Sequence, residues 1–397
     1  MASSFVAARP VILVTLAVTA LSAARATGQQ AASWKPAARV QAAVRYDDNP
    51  FLLSPDQKVR LRTASAADAV SGRFRDMPSA TDAIAVAGVE VGLAGPGLLR
   101  RRLEVSAEAA YEANVRNARR RHAELSFGAE QALAKGGRLR FRADWRPAYL
   151  WKNYLSDAVD ANLDNSIAAD ERRYEPGTSH EVDLTLSYQH RLVKARSTSP
   201  FGLSGELEVG YLTRGYDAPF GGRNRRGPGA GVSLTAALGR RWTVGVDYAY
   251  QSLDADTSRE VLILDEPEFG QDLNGNASAT DLDARAFELV DRSRTEHNLR
   301  ASAQTAPSRA VELSVAVARR TRSFSSTQPY DVSDRGRRDA RNELEGELRV
   351  RLARGLRLTL GAVVAGQTTN RAGDPGSTGE VADYSRRVVT AGVGYRF

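Results

Sequence analysis

Among the side chains of this 397-residue chain that could do chemistry, the four histidines, His122, His180, His190 and His297, come first, because imidazole titrates near neutral pH and readily ligates metals. No two of them stand at the i, i+2 or i, i+4 spacing that would aim a pair at one ion. His122 is close in sequence to Glu124 and Ser126, so a proton-transfer or nucleophilic site remains open there, to be completed across strands of unknown register. Oxygen ligands recur at Asp272, Asn274, Asn276 and Asp283, at offsets like those of a calcium loop. The turn glycine is displaced to Gly275, however, Ala277 stands where that loop needs glycine, and the last ligand is Asp rather than Glu. That stretch, and the one holding Asp157, Asp160, Asp164 and Asp170, read as solvated acidic loops. Cysteine is absent, which removes disulfides, thiolate nucleophiles and thiolate metal sites together. No catalytic residue, metal or cofactor is assigned.

The arginines are more informative. Arg138, Arg140 and Arg142 alternate with Leu139 and Phe141, and Asp144 and Arg146 continue the polar series on either side of Trp145. In the same way Arg39, Gln41, Arg45 and Asp47 alternate with Val40, Ala42, Val44 and Tyr46, and Glu104, Ser106, Glu108 and Glu112 alternate with Leu103, Val105, Ala107 and Tyr111. Period two places charge on one face of an extended strand and apolar groups on the other. A net charge of +8 and a pI near 9.8 often accompany nucleic-acid binding. Here the basic residues are spread in strand alternation instead of forming a patch among aromatics, which argues against a nucleic-acid partner.

The alternation recurs at 39–47, 82–93, 103–112, 124–130, 138–145, 181–189, 206–211, 232–238, 242–250, 295–303, 311–317, 344–352, 356–364 and 389–397. That is about 14 strands, many roughly twice the ~5–6 residues usual in a soluble sandwich or propeller. No segment beyond the N-terminus approaches the roughly 20 apolar residues of a membrane-spanning helix. Short connections at 95–99, 135–137, 239–240 and 353–355 interleave with long ones at 48–81, 152–177, 254–291 and 325–339. Tyr46, Tyr111, Trp145, Tyr211, Tyr248 and Tyr250 fall near one set of strand ends, and Trp242, Tyr395 and Phe397 near the other, as two interfacial girdles would. The expected fold is all-β: a transmembrane antiparallel up-and-down β-barrel with short periplasmic turns and long extracellular loops.

Two motifs carry a family resemblance. The last strand closes on Val393, Tyr395 and an outward terminal Phe397, and so resembles the end of bacterial outer-membrane barrels. The stretch Tyr46-Asp47-Asp48-Asn49-Pro50-Phe51 resembles the Y-D-x-N-x-F motif near the start of putative β-barrel porins and of barrels encoded with exopolysaccharide systems. The resemblance implies the outer membrane of a Gram-negative bacterium, contact with its lipid, and recognition of Tyr395 and Phe397 by the barrel assembly machinery. It implies a porin-like channel for passive diffusion of small hydrophilic solutes, charged or saccharide. The competing expectations are an accessory barrel or conduit for exported polysaccharide and a barrel hydrolase.

On the polar face the expected lumen-lining residues are Arg39, Arg45, Glu104, Glu108, Glu124, Glu130, Arg138, Arg140, Arg142, Arg300, Arg349, Arg351, Arg357 and Arg386. The acidic members gather on the earlier strands and the basic ones on the last strands and the first, so that opposed walls would set a field across the lumen. The alternative is that these charges pair across strands and fill the interior. Arg138, Arg140, Arg142 and Arg146 are expected to lack partners, and a dry interior would then penalise each by several kcal/mol, which favours a wet lumen. Ser187 and Thr359 share the polar face and are expected to accept an arginine at little cost.

Residues 1–26 read as a signal peptide: a basic Arg9, an apolar run over 11–21 and small residues at Ala24-Arg25-Ala26. A short periplasmic segment at 27–36 and the barrel at 37–397 follow. N-terminal sequencing of the membrane-extracted protein should begin at Thr27, and an intact Met1 on cytosolic protein would overturn the export reading.

Overall fold

The computed structural model describes residues 34–64, 74–75, 77–98, 101–158, 172–194, 201–239, 241–263, 285–327, 331, 334–370 and 383–397. The strands are β1 (Lys35–Asp47), β2 (Asp82–Pro96), β3 (Arg102–Asn114), β4 (His122–Ala132), β5 (Arg138–Ala158), β6 (Arg172–Val193), β7 (Phe201–Tyr216) and β8 (Arg225–Leu238). They continue with β9 (Trp242–Ala255), β10 (Ser258–Ile263), β11 (Arg285–Val290), β12 (Arg294–Thr305), β13 (Val311–Phe324), β14 (Arg338–Arg351), β15 (Leu356–Thr369) and β16 (Tyr384–Arg396). Fourteen of them form one closed antiparallel barrel, each paired with its neighbours along the chain, with β9 joined to β12 and β16 back to β1. β10 and β11 form a separate hairpin.

The side-chain period decides which face is which. Along β1 the apolar Val40, Val44 and Tyr46 are exposed, while Arg39, Gln41 and Arg45 are half-buried and Asp47 is 1% exposed. The same inversion holds around the ring, with Phe127, Phe141, Trp145, Leu186, Leu207 and Val246 exposed on the outside. An apolar exterior over a charged interior is the reverse of a water-soluble barrel and is what a hydrocarbon surround requires. Paired strands keep the faces matched: Val40 stands opposite Tyr395 and Val89, and Arg39 opposite Arg396 and Glu90.

At one end of the barrel the connections are tight. Gly239 (φ 71°) and Gly355 (φ 82°) each turn a hairpin in the left-handed region that other residues avoid. At the opposite end lie the long connections, and three of them hold structure that alternation does not reveal. Residues 48–81 contain helix α1 (Pro55–Thr63), which starts with a capping box: Ser54 Oγ accepts from Gln57 N at 3.2 Å and Gln57 Oε1 accepts from Ser54 N at 3.2 Å. The stretch 254–291, read from sequence as a loop, carries the β10–β11 hairpin. β5 and β6 run on into 152–177, as far as Ala158 and from Arg172, with Asn153 opposite Pro176, because bulges between Arg146 and Asp157 break the period-two signal without ending the ladder.

Ser187 departs from its expectation. It faces inward but is only 5% exposed, and its Oγ donates to Glu206 Oε1 at 2.6 Å, so an arginine there has no room and breaks that bond. Thr359 remains the useful control. Leu186→Arg and Leu360→Arg should each cost about 2–4 kcal/mol of folding stability in lipid, because both place a charge in hydrocarbon, whereas Thr359→Arg should cost little. Equal losses in a urea titration of protein folded into bilayers would show that the faces are assigned the wrong way round.

Candidate functional site: the barrel lumen

Of the fourteen charged residues expected on the polar face, eight border one cavity of the lumen. Arg39, Glu104, Glu108, Glu130, Arg140, Arg142, Arg351 and Arg357 line a cavity of about 790 Å³ at the short-turn end. Around it the carboxylates Glu90, Glu104, Glu108 and Glu130 come from β2, β3 and β4, and Arg39, Arg351, Arg357 and Arg396 come from β1, β14, β15 and β16. Arg102 of β3 and Arg140 and Arg142 of β5 line the same cavity, so basic groups stand on the acidic side as well.

Elsewhere the charges are paired. Arg45 meets Glu112 at 2.9 Å, Arg300 meets Glu345 at 2.9 Å, and Arg349 meets Glu312 at 2.8 Å and Glu347 at 2.6 Å. The arginine series on β5 corrects the expectation drawn for it. Arg138 lies 3.1 Å from Glu130, Arg140 2.7 Å from Glu130 and 3.3 Å from Glu206, Arg142 2.6 Å from Asp144, and Arg146 2.8 Å from Glu124. Register supplies these partners, since Arg140 stands directly opposite Glu130. Because each cation has a counter-charge, their crowding on one strand does not by itself demand a wet lumen.

The first long connection turns back over the lumen, and the residues of the Tyr46–Phe51 motif do the turning. Asp47 holds Arg386 through both its oxygens at 3.1 Å and accepts from Asn49 N at 3.0 Å. Asn49, with no exposed surface, donates to the carbonyls of Leu53 and Ser385 at 2.8 Å and accepts from Leu53 N at 2.8 Å. Leu52, at φ 56°, completes the reversal. Phe51 and Leu53 then pack with Phe74 and Met77 in a small apolar core, and Asn153 of β5 reaches the Arg75 carbonyl at 2.5 Å. Arg120 stacks between Phe51 (4.7 Å) and Tyr149 (4.8 Å) and donates to the Trp151 carbonyl at 3.1 Å. Burial pushes its guanidinium down to about 10. Arg386, expected to line the lumen, therefore anchors this loop, and sequence reasoning saw Asp47 and Asn49 only as a strand exit. The following Phe51-Leu52-Leu53, apolar between polar runs, was the signal that the connection is packed.

Phe51 and Leu52 also border a second cavity, of about 420 Å³, with inward residues of β7, β8, β12, β13 and β14. A buried network pins the loop before β14 at the same rim: Arg337 donates to Asp334 and Asp339 at 2.9 Å, and Arg292 to Asp334 at 3.1 Å.

The histidines do not assemble a nucleophilic site among the described residues. His122 is buried, with Nδ1 2.9 Å from the Arg120 carbonyl and Nε2 3.4 Å from Glu124. Ser126 is bonded to Asp144 and not to an imidazole. His297 lies outside the wall beside Tyr248 at 2.8 Å, and His190 beside Tyr188 at 3.2 Å. No group of three or more potential metal ligands is found among the described residues, and Asp272, Asn274, Asn276, Asp283, Asp160, Asp164 and Asp170 lie outside them.

Several solved outer-membrane channels resemble this chain in structure. The channel DcaP of Acinetobacter baumannii matches with a TM-score of 0.42 at 8% identity, covering 92% of this chain and 97% of that one. OccAB3 of Acinetobacter baumannii gives 0.38 at 10% identity over 91% and 99%, and an anion-selective porin from Comamonas acidovorans gives 0.36 at 10% over 92% and 99%. Likeness at this level carries no argument about what the barrel does. No known protein family and no curated protein matches the sequence.

The loop anchor is open to test. Asn49→Ala removes three side-chain hydrogen bonds, two of them buried, and should cost about 1–3 kcal/mol locally. Limited proteolysis should then cut faster within 48–81 while the heat-modifiable barrel band persists, and an unchanged cleavage pattern would show that the loop is held by other contacts.

Proposed function

We propose that the protein is a channel in the outer membrane of a Gram-negative bacterium, through which small hydrophilic solutes diffuse passively. The observation that carries this reading is the two-sided wall: closed, apolar and exposed outside, charged inside, and enclosing cavities of about 790 and 420 Å³ toward its two ends. A barrel with fourteen strands lies between the filled eight-stranded kind and the open porins of about 16 strands or more, so its bore alone decides nothing. What supports conduction is that the space inside is lined by ionised groups, which a solute path needs and a packed apolar plug would not. The loop folded back by Asp47 and Asn49 serves as the constriction in this reading.

The remaining assignments follow from the same reading. Residues 1–26 direct export and are removed, the long connections face outward from the cell, and Val393, Tyr395 and Phe397 present an apolar edge to lipid and to the assembly machinery. Tyr395 and Phe397 stack edge to face at 4.8 Å on the outer surface, which suits that role. No cofactor is required.

Purified protein refolded and added to planar lipid bilayers should produce discrete conductance steps. A silent bilayer with correctly folded, heat-modifiable protein would leave a plugged barrel and remove the channel reading.

A further inference from the structure

Register decides what each lumen arginine faces. In the short-turn half and the middle it sets Arg140 opposite Glu130 and Arg349 opposite Glu312, but also Arg39 opposite Arg396 and Arg351 opposite Arg357. Toward the long-loop end it sets arginine against arginine: Arg214 of β7 stands opposite Arg225 of β8, and Arg320 of β13 opposite Arg341 of β14. Like charges directly opposed across antiparallel strands are destabilising. Both pairs border the 420 Å³ cavity, together with Arg294 and Arg322, and Glu296 is its single lining carboxylate among the described residues.

Three of these arginines are satisfied. Arg214 donates to Glu181 at 2.6 Å, Arg294 to Glu296 at 2.6 Å, and Arg341 is paired with Glu343. The others are not. Arg322 stands 3.3 Å from Glu296, yet its buried Nε has no hydrogen-bond partner among the described residues. The Nε of Arg225 is likewise buried and unmatched, and among the described residues its guanidinium donates to the Tyr216 hydroxyl alone, at 3.3 Å. Arg320 is attracted by the charges of Glu296 and Glu343 but has no hydrogen bond among the described residues. Aromatic rings share the cavity: Phe51, Trp151, Tyr216 and Tyr384, with Trp151 5.0 Å from the Arg214 guanidinium.

We propose that this cavity is a binding site for an acidic saccharide. A guanidinium fork takes a carboxylate with paired, charge-assisted hydrogen bonds, and Arg225, Arg320 and Arg322 are the forks with donors to spare. Trp151, half-buried in the lining, gives apolar surface beside them that suits the apolar face of a sugar ring, and the volume falls within the range of small-ligand sites. An inorganic anion would satisfy the arginines and leave that surface unused. The site deepens the channel reading and rests on it for access from solution.

Calorimetric titration of the refolded protein in detergent micelles tests the site, with galacturonate as the probe, galactose as the neutral ring and sulfate as the charge without a ring. Galacturonate should bind, galactose should give no heat of binding, and sulfate should bind more weakly than galacturonate. Arg320→Gln should weaken galacturonate about tenfold, the loss expected for one charge-assisted contact. Its thermal midpoint should not fall, because the substitution relieves the repulsion with Arg341; Arg225→Gln is the second variant and should behave alike. Galacturonate no tighter than galactose, sulfate as tight as galacturonate, or both variants binding like wild type would each overturn the proposal. Bilayer conductance separates the two readings: conduction without galacturonate binding ends the site and keeps the channel, and binding without conduction does the reverse.

Discussion

When β16 pairs along β1, from Arg39 opposite Arg396 to Asp47 opposite Val388, the sheet loses both its edges, and the last bond of that seam runs from Phe397 N to the Ala38 carbonyl at 3.0 Å. In hydrocarbon an unpaired backbone group costs several kcal/mol, so a sheet can sit there only when closed. Closure also fixes parity. Once Val40 and Tyr395 face out together, every second residue around the ring is committed, and a slip by one residue would turn the arginines toward lipid.

Parity then makes the interior a crowded ionic space. Most of its pairs are partly exposed, and pairs of that kind are each worth about 0–1 kcal/mol. They do little to hold the barrel together and much to shape the potential inside it. Where opposite charges meet across strands, as at Arg140 and Glu130, the field is local. Where arginine meets arginine, as at Arg320 and Arg341, positive potential extends into the cavity and is available to a solute.

The long-loop rim is held by a different chemistry, buried carboxylates satisfied in full. Asp82 accepts from Asn114, from Arg116 N and from both nitrogens of Asn117, at 2.9–3.1 Å. Asp47 takes Arg386 and Asn49, and Asp334 takes Arg292 and Arg337. An unmatched carboxylate so enclosed would be costly, and these matched ones fix the angle at which each loop leaves its strand. That angle directs the loop after β1 across the lumen rather than away from it.

Alternation in the sequence determined the fold class and the fourteen barrel strands, because period two is a local property that backbone geometry imposes on each strand alone. It located Arg39, Glu104, Arg140 and Arg357 on the polar face without any knowledge of their neighbours. It did not show the β10–β11 hairpin, whose strands are short, or the extensions of β5 and β6, whose bulges break the period. Partners were beyond it as well. Arg138 to Arg146 look unmatched along the chain and are matched across it, Ser187 looks free and is enclosed by Glu206, and Asp47 to Phe51 look like a strand exit and form a loop anchor. Those facts depend on register and on contacts between residues as far apart as Asp47 and Arg386, so only the closed tertiary structure decides them.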